Sequence, residues 1–311
     1  MTVIAIAVAD LHLSLTPPVA RSVETDWLEV QGRVVEQLHD LADKHEAPIL
    51  MAGDVFDRSN APPELVNWAI RNLPPMIAVP GQHDLPLHRY EDVGKSAYET
   101  LVLAGTIQNA TDSPWISKKA HVNGFPWGKE PCGLEGRGDY PEGSDIQIAL
   151  CHRYVWVKGK CYPGAPPDAA LGFCRGLLAG YDFAVFGDNH QPFTAKLDVK
   201  NDKGKIQCNI VNCGCLIQRK QNERDIKPAA WLLYEDGQIE PHYLDTSKDK
   251  WLDPEDEPEQ LPLDARLDEF LEQLGVVEME SLDFREAVNR YLTDNKGVDG
   301  RTKRILLEAM E

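Results

Sequence analysis

Long apolar stretches are missing from this chain: nowhere in its 311 residues does a run approach the roughly 18 apolar positions that a membrane-spanning helix needs. Paired cysteines are missing too. The seven present, at 132, 151, 161, 174, 208, 213 and 215, are odd in number and form no CxxC pair, which points away from a disulfide framework and toward a reduced compartment. Basic residues are short, 32 Lys and Arg against 50 Asp and Glu, so bulk electrostatics cannot hold nucleic acid at a net charge of −18. The deficit is uneven. From Asp245 onward 19 acidic residues face 9 basic ones, leaving 31 against 23 for positions 1–244, where a local basic groove stays open as a reading. Met1 to Asp10 reads as a strand leading to a polar residue rather than a signal peptide, so the expectation is a cytoplasmic protein with no membrane partner.

What is present is an ordinary globular composition, 42% hydrophobic and 26% charged, long enough for a substantial core. Val3–Ala9 is an unbroken apolar run, as for a strand buried on both faces. Trp27, Val30, Val34, Leu38 and Leu41 recur at helical spacing; Pro48–Ala52 returns to strand; Pro62-Pro63 opens a helix through Leu73; Met76–Val79 is a third strand. This alternation predicts βαβ units and a largely parallel sheet. Further strands are expected at 146–150 and 183–186. After His190, segments 195–199, 205–211 and 229–234, joined by turns such as Glu235-Asp-Gly237, predict antiparallel hairpins and a second sheet. The fold class is therefore α/β, a two-sheet β-sandwich flanked by helices. Its domain spans 1–245, followed by an acidic linker at 246–262 and a helical region at 263–311. The stretches 125–145 and 154–167, rich in Gly and Pro, are expected to be long loops.

Five motifs sit where the strand-like runs stop: Asp10-Leu-His12, Gly53-Asp-Val-Phe-Asp57, Gly81-Gln-His-Asp84, His152 and Gly187-Asp-Asn-His190. Carboxylates suit hard divalent cations, and imidazole adds affinity for Mn, Fe or Zn. One carboxylate can bridge two ions, and Asp54 is the natural candidate. Such a set meets the needs of phosphodiester hydrolysis: a metal-bound hydroxide, charge neutralisation on the phosphate and an acid for the leaving oxygen.

The motifs resemble those of the calcineurin-type metallophosphoesterase superfamily, from Asp10 to His190. Within it, the chain is similar to SbcD-type nuclease subunits of double-strand-break repair. Gly53–Asp57 leads into Pro62-Pro63 as in that group, and Gly214, Arg219, Glu223 and Lys227 precede an apolar strand at 229–234. The resemblance implies one ion held by Asp10, His12, Asp54 and His190 and a second by Asp54, Gln82, His152 and Asp188. It implies that His83, with Asp84 behind it, assists the leaving group, with Asp57 a weaker match. It also implies a Mn²⁺-dependent DNA exo- or endonuclease of recombination or repair, in a bacterium or phage, with DNA as partner. An SbcC-like ATPase could dock on the C-terminal helices, and helices near 62–73 and 95–104 could form a homodimer.

Two positions depart from the family pattern, both at the second ion. Gln82 stands for Asn and Asp188 for His, which hardens that site toward Mn²⁺ or Mg²⁺ or leaves it unable to hold a metal. A small-molecule phosphoesterase and a weakened scaffold therefore remain alternatives. Arg58, Arg153 and Tyr154, beside the motifs, are candidate substrate contacts, and Trp127 could stack on a base. His39, His45, His88, His121 and His242 match no motif and are read as surface or packing residues. Cys213 and Cys215 share one strand face and are read as small buried side chains. Gly94-Lys-Ser96 lacks the first glycine of a phosphate loop, since Arg89 stands there.

Overall fold

The computed structural model describes residues 1–134, 146–201 and 204–256; the helices expected at 263–311 and the second half of the linker lie outside the described residues. A compact unit runs from Met1 to Glu255. Its elements in chain order are β1 (Val3–Val8), α1 (Trp27–His45), β2 (Ile49–Met51), α2 (Pro63–Asn72), β3 (Met76–Ala78), α3 (Ala97–Leu103), β4 (Ile107–Asn109), β5 (Trp115–Ile116) and β6 (Ala120–Phe125). There follow β7 (Ile146–His152), β8 (Phe183–Gly187), β9 (Phe193–Asn201), β10 (Gly204–Asn212), β11 (Ala229–Tyr234) and β12 (Ile239–Tyr243). They form two six-stranded sheets, β12-β11-β1-β2-β3-β4 and β5-β6-β7-β8-β10-β9.

Strand β1 explains how the sheets meet. Ala5, Ala7 and Ala9 face the second sheet, where small side chains let it approach, and pack with Leu50, Ile77, Val122, Ile148, Val185 and Trp231. Ile6 and Val8 face the other way, onto the Val30, Val34, Leu38 and Leu41 stripe of α1. The Asp26 carboxylate accepts the Glu29 N–H at the start of α1, and Glu46 ends the helix in a left-handed conformation. A third cluster, including Phe125, Leu178, Tyr181 and Phe186, covers the outer face of the second sheet.

Two expectations change. The second sheet is not built from the hairpins after His190 alone: β6, β7 and β8 run parallel within it, and only the β9–β10 hairpin joins them. The β11–β12 hairpin returns to the first sheet, antiparallel to β1. The other change concerns the stretch 246–255. Arg21, wholly buried, donates to the Lys250 carbonyl at 2.9 Å and the Gln218 carbonyl at 3.0 Å, and pairs with Glu24 at 2.9 Å and Asp249 at 2.8 Å. Its guanidinium lies between the rings of Trp27 and Trp251, and Leu252 is tied to Ala20 and Gln221. The first half of the expected linker is thus a strap on the domain. No helix among the described residues is long and apolar enough to cross a membrane.

Candidate metal centre

Because β1, β2 and β3 are mutually parallel, as are β7 and β8, their C-terminal ends lie along one edge of their sheets. The backbone turns sharply there. Asp10, His12, Asp54 and Asp188 all have left-handed φ, between 48° and 79°. Asp and His are among the non-glycine residues that enter this region most readily, so residue types suited to metal also suit the turn. The turns are knitted together: the Asp10 N–H donates to the Gly53 carbonyl and the His12 N–H to the Asp54 carbonyl. Only glycine fits at 53 and 81, where a Cβ would stand 2.1 Å from His152 Nδ1 and 2.0 Å from Asp54 Oδ1.

Eight of the expected residues converge. Asp10, His12 and His190 present ligand atoms within 4.8 Å of one another, as do Asp10, Asp54 and His152. Asp54 Oδ2 is buried without a hydrogen-bond donor, 3.8 Å from His12 Nε2 and 3.5 Å from His152 Nε2. A buried carboxylate oxygen needs a counter-charge; the charged His152 supplies one here, and bound divalent cations would supply it in its place. His152 Nδ1 faces the Ala52 carbonyl at 2.6 Å, so when neutral its lone pair is on Nε2, 2.7 Å from the Gln82 Oε1 acceptor. Protonated, His152 donates to that oxygen; neutral, it would leave two acceptors face to face, which a shared cation would satisfy. Gln82 Nε2 donates to Asp188 Oδ1 at 3.0 Å, so the extra methylene of Gln82 still reaches its neighbours. The residues present therefore fit divalent metal. Asp10, His12, Asp54 and His190 would hold one ion; Asp54, Gln82, His152 and Asp188 would hold the other.

Without a cation, protons balance the acids. Burial opposes charge on both His152 and His190. For His152 the Asp54, Asp10 and Asp188 carboxylates overcome it and push the imidazole up to about 10. For His190, Cys215, Glu223 and Asp10 do the same, to about 11. Burial also holds the Asp10 carboxyl up to about 7, with Asp54 and Asp188 adding to the effect and His190 and His152 opposing it. Metal must displace these protons. Because both imidazoles stay charged until the pH approaches about 10, divalent-ion affinity is expected to rise steadily from pH 6 to pH 9. Calorimetric titrations in buffers of unlike ionisation enthalpy read the released protons directly. Affinity independent of pH would contradict this account.

Asp84 is not the partner of His83. Its carboxylate, fully buried, accepts the N–H groups of Val55, Phe56 and Gly81, clamping the second and third motif loops together. His83 is oriented by the Asp57 carbonyl, 2.8 Å from Nδ1, while its own N–H donates to Asp54 Oδ1. Of the candidate substrate contacts, Tyr154 lines the cleft over the centre, beside Tyr162 at 5.1 Å between rings. Arg153 instead pairs with Glu130, and Arg58 lines a neighbouring depression with Leu13, Ala61 and Leu65. Trp127 stands 6.3 Å from the His152 ring. The roles of Arg219 and Glu223 were not legible from the motifs. Arg219 lines the cleft and forms an ion pair with Asp57, and Glu223 receives the His190 Nδ1–H at 2.7 Å. Cys213 and Cys215 are buried, as expected.

Residues 5–192 match the profile of the calcineurin-like phosphoesterase family. No curated protein matches the sequence. Among solved structures, the chain is similar to the sulfate thiohydrolase SoxB of Thermus thermophilus, at 13% identity and TM-score 0.43, with 81% of this chain and 58% of that one covered. It is also similar to a 5′-nucleotidase precursor from Thermus thermophilus, at 14% identity and TM-score 0.42, covering 78% and 54%. A third is the phosphopantetheinyl hydrolase of Mycobacterium tuberculosis, at 15% identity and TM-score 0.39, covering 78% and 97%. The chain thus spans little more than half of the first two.

Proposed function

Since the chain belongs to the calcineurin-like phosphoesterase family and is a metallophosphoesterase, we propose that its substrate is a phosphodiester of DNA, cut in recombination or repair. The observation that supports this reading is the cleft over the centre. It is open, about 790 Å³ in volume, and bordered by the cations Arg219 and Lys220 and by the Tyr154 and Tyr162 rings. Cationic side chains can follow a phosphate backbone, and tyrosines give unpaired bases a stacking surface. These two cations stand beside Asp57, Asp188 and Glu223 in the lining, and more than half of the chain's acidic excess falls after Asp245.

Divalent cations, when bound, neutralise the phosphate and lower the pKa of an attacking water. The chain's own residues do the rest. Asp54 holds the His83 backbone through its N–H, and the Asp57 carbonyl takes Nδ1–H, which leaves Nε2 as the nitrogen that can hand a proton to the departing oxygen. Lys220 borders the same space as a cation that can face the entering strand, and Arg219 holds Asp57 there through its ion pair.

The test is to compare degradation of linear DNA with turnover of a generic aryl phosphodiester by the purified chain in Mn²⁺. Degradation of DNA supports the proposal. Turnover of the aryl ester with intact DNA overturns it in favour of a small-molecule phosphoesterase, and metal uptake without turnover of either overturns it in favour of a scaffold.

A further inference from the structure

Glu223 is an acid with no place in the five motifs, 33 residues beyond the last of them, yet it is almost fully buried against that motif's histidine. Its Oε1 lies 2.7 Å from His190 Nδ1. Its Oε2 accepts the backbone N–H groups of Arg219 at 2.7 Å and Lys220 at 3.0 Å, and its own carbonyl accepts Gln218 Nε2 at 2.7 Å. The carboxylate therefore cannot rotate: two amides grip one oxygen, and the other is aimed at the imidazole.

We propose that Glu223 is a positioning residue for the metal centre, holding His190 in the one tautomer that can bind a cation. An ionised carboxylate only accepts, so the proton of a neutral His190 must be on Nδ1. The lone pair is then on Nε2, the nitrogen 3.4 Å from His12 Nε2 and on the side of Asp10. A ligating histidine whose second nitrogen is tied to a carboxylate keeps both its ring orientation and its basicity. The inference rests on the metal-centre reading above.

Glu223→Gln tests it sharply. The Arg219 and Lys220 N–H donors require an oxygen, so the amide oxygen must stay on their side and the amide NH₂ must turn to His190. Nδ1 then becomes the acceptor, and the ring proton moves to Nε2, where it blocks ligation. The hydrogen bonds of the loop survive. The expected result is a roughly 10- to 100-fold rise in the Mn²⁺ dissociation constant of one ion, read by electron paramagnetic resonance of free Mn²⁺ at a temperature where wild type and variant are both folded. Glu223→Asp keeps an acceptor-only carboxylate and is expected to bind more tightly than Glu223→Gln. Mn²⁺ binding of Glu223→Gln equal to wild type overturns the inference. So does the reverse order of the two variants. A wild-type chain that takes up no Mn²⁺ would instead overturn the metal-centre reading on which the inference stands, so the two failures are told apart.

Discussion

Asp54→Asn is expected to leave on the order of a thousandth or less of the wild-type phosphoester hydrolysis, a barrier rise of about 4 kcal/mol or more. The substitution is nearly isosteric. One oxygen still accepts the His83 N–H, so the loop stays in place. The change falls on Oδ2, the buried atom between His12 and His152, which becomes an NH₂ directed at two imidazole nitrogens. Two ions held as proposed would lose a shared anionic ligand at once. A thermal-shift titration separates this from misfolding. Mn²⁺ at 100 times its dissociation constant stabilises a binding-competent fold by about 2.7 kcal/mol, so the wild-type midpoint should climb with Mn²⁺ and that of the variant should not. A variant that retains both turnover and Mn²⁺-dependent stabilisation would rule out the bridging role.

Arg21→Met carries the largest expected loss of stability, about 3–5 kcal/mol. The cost comes from what is left behind. Glu24 and Asp249, with side chains only 5% and 11% exposed, face the same guanidinium; without it Glu24 keeps only the Lys250 N–H and Asp249 only its ion pair with Arg33 at 3.1 Å. The Gln218 and Lys250 carbonyls lose their donors, and the Trp27 and Trp251 rings lose the cation between them. At roughly 2–4 °C per kcal/mol for a domain of this size, the melting midpoint should fall by about 10 °C. A fall of only about 1–2 °C would show that residues 249–252 contribute little to the domain.

Much of the fold could be read from the chain because β1, β2 and β3 are apolar runs without interruption, each ending at a ligand. β6 could not. Its fully buried Ala120–Phe125 includes His121 and Asn123, which break the pattern that marks a buried strand. The β11–β12 hairpin was legible as a hairpin, but alternation within two strands does not say which sheet edge they join, and β1 was free to take β11. At the site, the eight convergent residues announce themselves by motif, whereas Glu223 and Arg219 act through distances that depend on how the 218–224 loop folds against Asp57 and His190. Asp84 illustrates the converse limit: adjacency to His83 suggested a pair, yet neighbours in a tight turn point in different directions, and three backbone donors decided its place. The strap at 249–252 looked like linker because its composition is polar, and what orders it is a set of distant partners, Arg21 and Arg33 on Asp249 and Ala20 and Gln221 on Leu252.

The left-handed turns at Asp10, His12, Asp54 and Asp188 set a condition on how this protein can drift. Each holds a non-glycine residue in a conformation that costs on the order of 1–3 kcal/mol. Glycine at any of the four would relieve that strain while deleting an expected ligand and the contacts its side chain makes. Asp10 and Asp54 also accept the Asp188 and His83 N–H groups, so glycine there would trade backbone strain for unpaired buried donors, and Asp188, whose side chain holds no backbone donor among these bonds, is the turn where glycine would cost the fold least.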